Sequence, residues 1–173
     1  MSRLKKGVTF RRLQRPYTRK SKYRELNFVR AIPASKIVRY DMGDATKKFS
    51  VYLDLISKET CQLRHNAIES ARLTCVRHLE KLLGKTGFHM KLRIYPHHIL
   101  RENPIAAGAG ADRISTGMSH AFGKPIGLAA RVFEGQVIVT IGVDKQNKDV
   151  ARQALKRVSY KLPYKYSIVE RNN

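Results

Sequence analysis

The first 24 residues carry ten Lys or Arg side chains and no Asp or Glu. Like charges at this density repel one another, so the segment cannot enter an apolar core, and we expect it to stay disordered until a polyanion neutralises it. We therefore predict a basic arm at residues 1–24 and a single folded domain at 25–173. The cations that we predict to bind nucleic-acid phosphates are Arg3, Lys5, Lys6, Arg11, Arg12, Arg15, Arg19, Lys20, Lys22 and Arg24.

The remainder of the chain is basic as well. The net charge is +22, of which +12 lies outside the arm. Solubilising surfaces usually mix both signs, whereas a basic body with a more basic tail is typical of nucleic-acid binding. No apolar run approaches the roughly 20 residues that span a bilayer, and no apolar segment follows the N-terminal charges as in a signal peptide. A cytoplasmic protein without a membrane partner is expected.

Hydrophobic periodicity predicts an α+β fold, in which two helices pack on a mostly antiparallel sheet as an α/β sandwich. Alternating apolar residues predict strands at 36–40, 49–56, 88–94, 98–101, 128–133, 136–143 and 164–169. A turn is predicted at 41–44, a hairpin around residues 134 and 135, and a long loop at 102–113. Helical spacing predicts helices at 57–83 and 147–160; the first has an apolar stripe formed by Leu63, Ala67, Ala71, Cys75, Leu79 and Leu82.

The cysteines and histidines give no sign of a metal site or disulfide. If Cys61 and Cys75 lie in one helix, they are about 21 Å apart, too far for a bond that needs Cα atoms within about 7 Å. Both are expected to be small buried apolar residues. The histidines have no metal-ligand spacing, so no metal is expected.

Two glycine-rich stretches resemble nucleotide-binding loops but lack decisive residues. In 108–113, Arg113 stands where the dinucleotide fingerprint needs its third glycine. In 117–125, Pro125 replaces the Ser or Thr that binds magnesium in a P-loop. No Ser, Cys or carboxylate pattern suggests catalysis, so we expect neither a cofactor nor an enzyme.

Aromatic and glycine residues accompany the cations. Phe10, Tyr17 and Tyr23 either stack on unpaired bases or anchor the arm to the body, and the sequence leaves both open. Lys124, Arg131 and Arg113 flank glycine-rich backbone, which a phosphate can approach closely. We predict that Lys124 and Arg131 join the arm in binding RNA.

Several motifs resemble one family. They are 109–113 (AGADR), 116–118 (TGM), 121–125 (AFGKP) with Gly127, and 130–132 (ARV). Residues 88–89 (FH), Arg93, Pro96, His98 and Arg101 fit in the same order, as do 135–138 (GQVI) and 146–148 (QNK). From about residue 17 to 160 the chain resembles the archaeal and eukaryotic large-subunit ribosomal protein L10e, which is homologous to bacterial L16.

The resemblance implies a structural, non-catalytic constituent of the large ribosomal subunit. Its expected partners are large-subunit ribosomal RNA and neighbouring ribosomal proteins, with 5S rRNA nearby, and no homo-oligomer is expected. The resemblance also implies that the 102–113 loop points toward the peptidyl-transferase region, that the protein stabilises the tRNA-accommodating region there, and that tRNA in the aminoacyl site is a partner. The residues assigned to this region are Arg101, Asn103, Gly108, Gly110 and Arg113. Two alternatives are a free-standing DNA-compacting protein, which explains the charge but not the loop, and an RNA-modifying enzyme, which would need a cofactor pocket or acid–base cluster.

Overall fold

Eight strands and two helices make up the fold in a computed structural model, which describes residues 5–13, 23–26, 29, 31–103, 108–110 and 123–172. Within this part, short 3-10 turns occur at Gly7–Phe10, Arg24–Leu26 and Lys145–Asn147. The regular elements are β1 (Asp41–Gly43), β2 (Val51–Ser57), β3 (Cys61–Arg64), α1 (His65–Leu83), β4 (His89–Leu92), β5 (His98–Glu102), β6 (Lys124–Val132), β7 (Val137–Val143), α2 (Lys148–Ser159) and β8 (Tyr166–Asn172).

The strands form two sheets, both antiparallel in the pairings described. One has five strands in the order β1-β4-β7-β2-β8, and the other has three in the order β3-β6-β5. The α+β prediction is confirmed, but the single expected sheet is divided in two.

The predicted hairpin around residues 134 and 135 is wrong. A turn does connect β6 to β7, and Gly135 adopts a φ of +76° there. The two strands nevertheless belong to different sheets, because β6 is already paired on both sides by β3 and β5. β7 likewise lies between β4 and β2, so the turn carries the chain from one sheet to the other.

Helix α1 begins at His65, eight residues later than predicted. The segment before it contains the end of β2 and the whole of β3, whose residues Cys61 and Leu63 are buried and pair with β6. Leu63 lies four residues before Ala67, which is also the spacing of a helix, and this coincidence caused the helix to be predicted too early. Cys61 is therefore not in the helix, although both cysteines are buried and free. Leu82, assigned to the stripe, is 51% exposed, whereas the next residue, Leu83, packs against the core.

The strand expected at 36–40 is also wrong, since the first strand is β1 at residues that were predicted to turn. Met42, in the middle of β1, is buried and pairs with Met90 of β4. The chain turns immediately afterwards, where Asp44 accepts hydrogen bonds from the backbone N–H groups of Thr46 and Lys47.

One apolar core lies between the helices and the sheets. α1 packs against α2 and contacts β3 and β6, whereas α2 contacts β2, β7 and β8. The core includes Leu53, Leu79, Ala130, Ile141 and Leu155, all buried. The opposite faces of the sheets are consequently free to carry polar residues. None of the helices described is long and apolar enough to cross a membrane.

Candidate nucleic-acid interface

The described arm residues 5–13 lie along the edge strand β3. The backbone N–H of Gln62 donates to the carbonyl oxygen of Arg11 over 2.8 Å, and the Gln62 side-chain Nε2 donates to that of Phe10 over 3.0 Å. Arg64 Nη1 donates to the carbonyl oxygen of Lys5 over 3.1 Å. All three acceptors are backbone groups, so this attachment leaves the basic side chains of the arm available.

Phe10 anchors this segment. The guanidinium carbon of Arg64 lies 5.5 Å from the centroid of its ring, within cation–π range. Of the two roles considered for the arm aromatics, the structure gives Phe10 the anchoring one. Tyr23 is 66% exposed, and Tyr17 lies outside the described residues.

The expectation of an arm that is disordered throughout is therefore wrong for residues 5–13. Lys6, Arg11 and Arg12 are exposed and, within the described part of the chain, form no ion pair. Lys5 instead pairs with Glu102 over 2.8 Å. The placement of Arg24's side chain is not described, and the remaining arm cations lie outside the described residues: Arg3, Arg15, Arg19, Lys20 and Lys22.

The predicted contact residues of the body lie on the three-stranded sheet. Lys124 is exposed at the start of β6, opposite Glu102 of β5. Arg131 is half-buried in β6, directly opposite Gln62, the residue that holds the arm. Arg131 Nε is buried and has no hydrogen-bond partner among the described residues. The structure thus brings Lys124 to the base of the loop and Arg131 beside the arm.

The loop residues occupy the end of β5 and the segment beyond it. Arg101 and Asn103 are half-buried. Gly108 and Gly110 are exposed with φ values of +129° and +74°, which L side chains rarely adopt. Arg113 lies outside the described residues. Since Glu102 pairs with Lys5, the arm and the base of the loop are directly connected.

A second basic surface lies on the outer face of the five-stranded sheet. It contains a groove of about 590 Å³ whose lining includes Lys47, Lys48, Lys91, Arg93 and Arg171. In the strand predicted at 88–94, Lys91 and Arg93 alternate with apolar residues and therefore share the polar side. Its neighbours across the sheet could not be recognised, because strand order and register are not visible in local periodicity.

The ionisable groups in the core do not form a reactive centre. Burial raises the pKa of the Cys61 thiol and raises that of Cys75 to about 12, so both remain protonated and weakly nucleophilic. Burial, followed by repulsion from Lys36 and Arg64, lowers the pKa of His65. In the described part of the chain, no group of three His, Cys, Asp or Glu residues could hold a metal ion.

Comparison with known proteins identifies the family. The model of the family "Ribosomal protein L16p/L10e" matches residues 13–169. The chain belongs to this family. The chain is similar to proteins from several archaea that are named large ribosomal subunit protein uL16. That of Methanocella arvoryzae is 43% identical over 95% of this chain and 93% of its own length. The protein of Methanoculleus marisnigri is 48% identical over 87% of this chain and 89% of its own length. The protein of Archaeoglobus fulgidus is 43% identical over 92% of this chain and 88% of its own length.

The L16p/L10e match confirms the resemblance inferred from the sequence motifs. It extends from the last described residue of the docked arm segment, Leu13, into β8. Both sheets, both helices and the 102–113 loop therefore lie within the family match.

Proposed function

We propose that the protein is a structural constituent of the large ribosomal subunit that binds ribosomal RNA. Membership of the L16p/L10e family, with relatives named large ribosomal subunit protein uL16, is the observation that carries this proposal. The docked arm supports it, since backbone anchoring on β3 leaves Lys6, Arg11 and Arg12 exposed for phosphate contacts. Its other partners are neighbouring ribosomal proteins. The chemistry of translation belongs to the RNA.

We further propose that the 102–113 loop lies near the peptidyl-transferase centre and stabilises tRNA in the aminoacyl site, with 5S rRNA nearby. The described loop residues Gly108 and Gly110 are exposed and add no side chain to the core. The pair of Lys5 with Glu102 supports a common role for arm and loop, because RNA bound to the arm fixes the loop base.

Sedimentation tests the ribosomal assignment. A tagged full-length chain, expressed in archaeal cells, is followed through sucrose gradients of the lysate at low and high salt. We expect it to migrate with large subunits at both salt concentrations. Migration with the nucleoid would instead support the DNA-compacting alternative, and recovery in the soluble fraction would contradict a structural role in the subunit.

Deletion of residues 103–111 tests the role of the loop. These residues contain Pro, Gly and Ala and little that fills a core, so we expect normal folding and normal incorporation into large subunits. Peptide-bond formation by the purified subunits should fall. Arg101→Ser should act in the same direction, because it removes a planar donor suited to phosphate.

The matched control for Arg101→Ser is Arg77→Ser on the exposed side of α1. Translation should be unchanged in this control. Normal translation by subunits that demonstrably contain the shortened protein would refute the proposed role of the loop.

A further inference from the structure

We propose that the groove on the outer face of the five-stranded sheet is a second RNA-binding site, which takes an unpaired nucleotide against Tyr52 and holds the flanking phosphates on the surrounding cations. This inference rests on the proposed ribosomal function and deepens it. It concerns a surface on the face of the five-stranded sheet that the helices leave open, and it engages neither the arm nor the loop.

The strand register brings the groove residues onto one face. Tyr52 of β2 pairs with Gly142 of β7 and with Arg171 of β8, and Gly142 pairs with His89 of β4. Side chains of directly paired residues project on the same side of a sheet. Leu53, the neighbour of Tyr52, is buried in the core, so this row projects away from the helices.

The next row of the sheet lies two residues along. Here Asp54 pairs with Thr140, and Thr140 pairs with Lys91. The same alternation continues just beyond the end of β4 to Arg93, whose Nε donates to Thr140 Oγ1 over 3.1 Å. Arg93 therefore stands over the same face as Lys91.

Gly142 makes room for the ring of Tyr52. A Cβ atom at position 142 would lie 2.8 Å from Tyr52 Cε1, a distance that real Cβ atoms essentially never show, and 3.2 Å from Cδ1. The ring thus lies against the backbone of the neighbouring strand and forms part of the groove floor. An aromatic ring supported in this way by a sheet is a platform on which a base can stack.

The charges around this floor favour a polyanion. None of the residues that line the groove is acidic. Asp54 lies beneath it, 2% exposed, and accepts hydrogen bonds from Thr140 Oγ1 and Arg171 Nη2, each over 2.7 Å. This network neutralises the buried carboxylate and holds Arg171 over the sheet, while Arg171's other donors are available to a phosphate.

Two further carboxylates pair with groove cations from outside the lining. Asp144 accepts from Lys47, and Asp41 lies 3.4 Å from Lys91 Nζ. Both pairs are partly exposed, so their electrostatic attraction is weak enough for a phosphate to compete. Lys48 is exposed and has no ion pair among the described residues.

The combination of ring and cations favours unpaired RNA over other polyanions. A volume of about 590 Å³ lies within the usual range for a site that encloses a small ligand. An RNA duplex keeps its bases stacked on one another, so it would reach the cations but not Tyr52. An acidic peptide would likewise use the charges without the ring.

The test separates the ring from the charges. Fluorescence anisotropy measures binding of the full chain to an oligouridine strand of about twelve nucleotides, to an RNA duplex of similar length, and to polyglutamate. Tyr52→Leu keeps an apolar cover over Gly142 but removes the ring, and Tyr52→Phe restores the ring. Lys48→Gln/Lys91→Gln removes two groove charges, and Lys81→Gln/Lys156→Gln removes two exposed charges from the helices as the matched control. Thermal melts check that each variant is folded.

We expect Tyr52→Leu to weaken oligouridine binding roughly 5- to 100-fold, the range for one base–aromatic stack, without changing its salt dependence. Tyr52→Phe should bind as the unchanged protein does, and duplex binding should be insensitive to both substitutions. Lys48→Gln/Lys91→Gln should weaken oligouridine binding about tenfold at 0.1 M salt and lower the slope of log K against log salt by about 1.4, or ~0.7 per phosphate contact.

Equal losses in the groove and helix lysine variants would overturn the site, and so would unchanged binding by a folded Tyr52→Leu protein. The groove would instead be assigned to an acidic protein by two results together: Lys48→Gln/Lys91→Gln abolishes polyglutamate binding, and Tyr52→Leu leaves RNA binding unchanged. These outcomes leave the sedimentation result untouched, so failure of the groove is distinguishable from failure of the ribosomal assignment.

Discussion

At the scale of single residues, Asp54 shows how this basic protein tolerates a buried carboxylate. It lies in β2, an inner strand of the five-stranded sheet, with almost no exposure, and its two oxygens accept from Thr140 and Arg171. A buried charge is costly unless it is paired and hydrogen-bonded, so Arg171 stabilises the sheet although its own side chain is 58% exposed.

Arg171→Gln should therefore destabilise the protein by about 1–3 kcal/mol, since it leaves Asp54 buried with only its neutral partner. Lys47→Gln is the matched control, because Lys47 pairs with the partly exposed Asp144 and such pairs contribute about 0–1 kcal/mol. Urea unfolding measures both. Equal costs would mean that Arg171 does not neutralise the buried carboxylate.

His65 makes stability depend on pH. Burial and then the cations Lys36 and Arg64 lower its pKa in the folded protein below the ordinary 6.5, and its Nδ1 accepts from the backbone N–H of Lys36 over 3.4 Å. The unfolded chain binds the proton more readily. The contribution of His65 is thus complete above about pH 6.5 and is lost as pH falls through the lower folded pKa.

His65→Asn should flatten the decline in stability on the acid side of pH 6.5, because Asn keeps a hydrogen-bond acceptor that does not titrate in this range. Urea midpoints across the pH series give the profile. Leu79→Ala, a cavity variant that costs about 2–5 kcal/mol, should lower stability at every pH without changing the profile's shape. A His65→Asn profile as steep as the original would show that another group controls the acid response.

At the scale of elements, α1 illustrates what periodicity predicts well and where it fails. The buried residues Ala71, Cys75 and Leu79 recur at helical spacing, and all were placed on the core side from the sequence. His78 is buried as well, although its residue type did not mark it as a core residue. The N-terminal boundary was wrong because Leu63 satisfies the helical period and the period of a strand at once.

Leu79→Asp should unfold the domain, because it buries an unpaired charge at a position that is fully excluded from solvent, at a cost of several kcal/mol. Glu80→Lys, one residue along on the exposed side of the helix, should be nearly neutral for folding. Circular-dichroism melts compare the two variants. Similar melting temperatures would show that the buried face of α1 has been assigned incorrectly.

At the scale of the whole molecule, the arm is connected to the base of the 102–113 loop. Its described segment docks on β3 through backbone carbonyls, and Lys5 reaches the base of the loop at Glu102. Part of the arm is thus held in place before any RNA binds, which reduces the conformational entropy lost on binding.

Deleting residues 1–24 should weaken binding to ribosomal RNA and flatten its salt dependence. If all ten cations met phosphates, the slope of log K against log salt would fall by roughly 7–9 units; with Lys5 engaged by Glu102 and only part of the arm in contact, we expect about half of that. Filter binding over a salt series measures the slope for both proteins. An unchanged slope would mean that the arm does not touch phosphate.

The sequence by itself determined the positive charge of the arm, the α+β class and the core side of α1. These properties follow from local charge density and from apolar residues that recur every two or every three to four positions, so neighbours along the chain contain the necessary information. The motifs at 109–113 and 121–125 were also sufficient to indicate the family.

Only the tertiary structure decided how the strands divide between two sheets, that β6 and β7 are not partners, and that Tyr52, Lys91 and Arg171 share a groove. Strand pairing is made by hydrogen bonds between residues that are distant in sequence. A strand with one apolar face can bury that face beside any of several partner strands, so its own pattern does not identify the partner. The docking of the arm could not be predicted for a similar reason. Residues of β3 donate hydrogen bonds to backbone carbonyl oxygens of the arm, and backbone groups leave no pattern in the side-chain sequence.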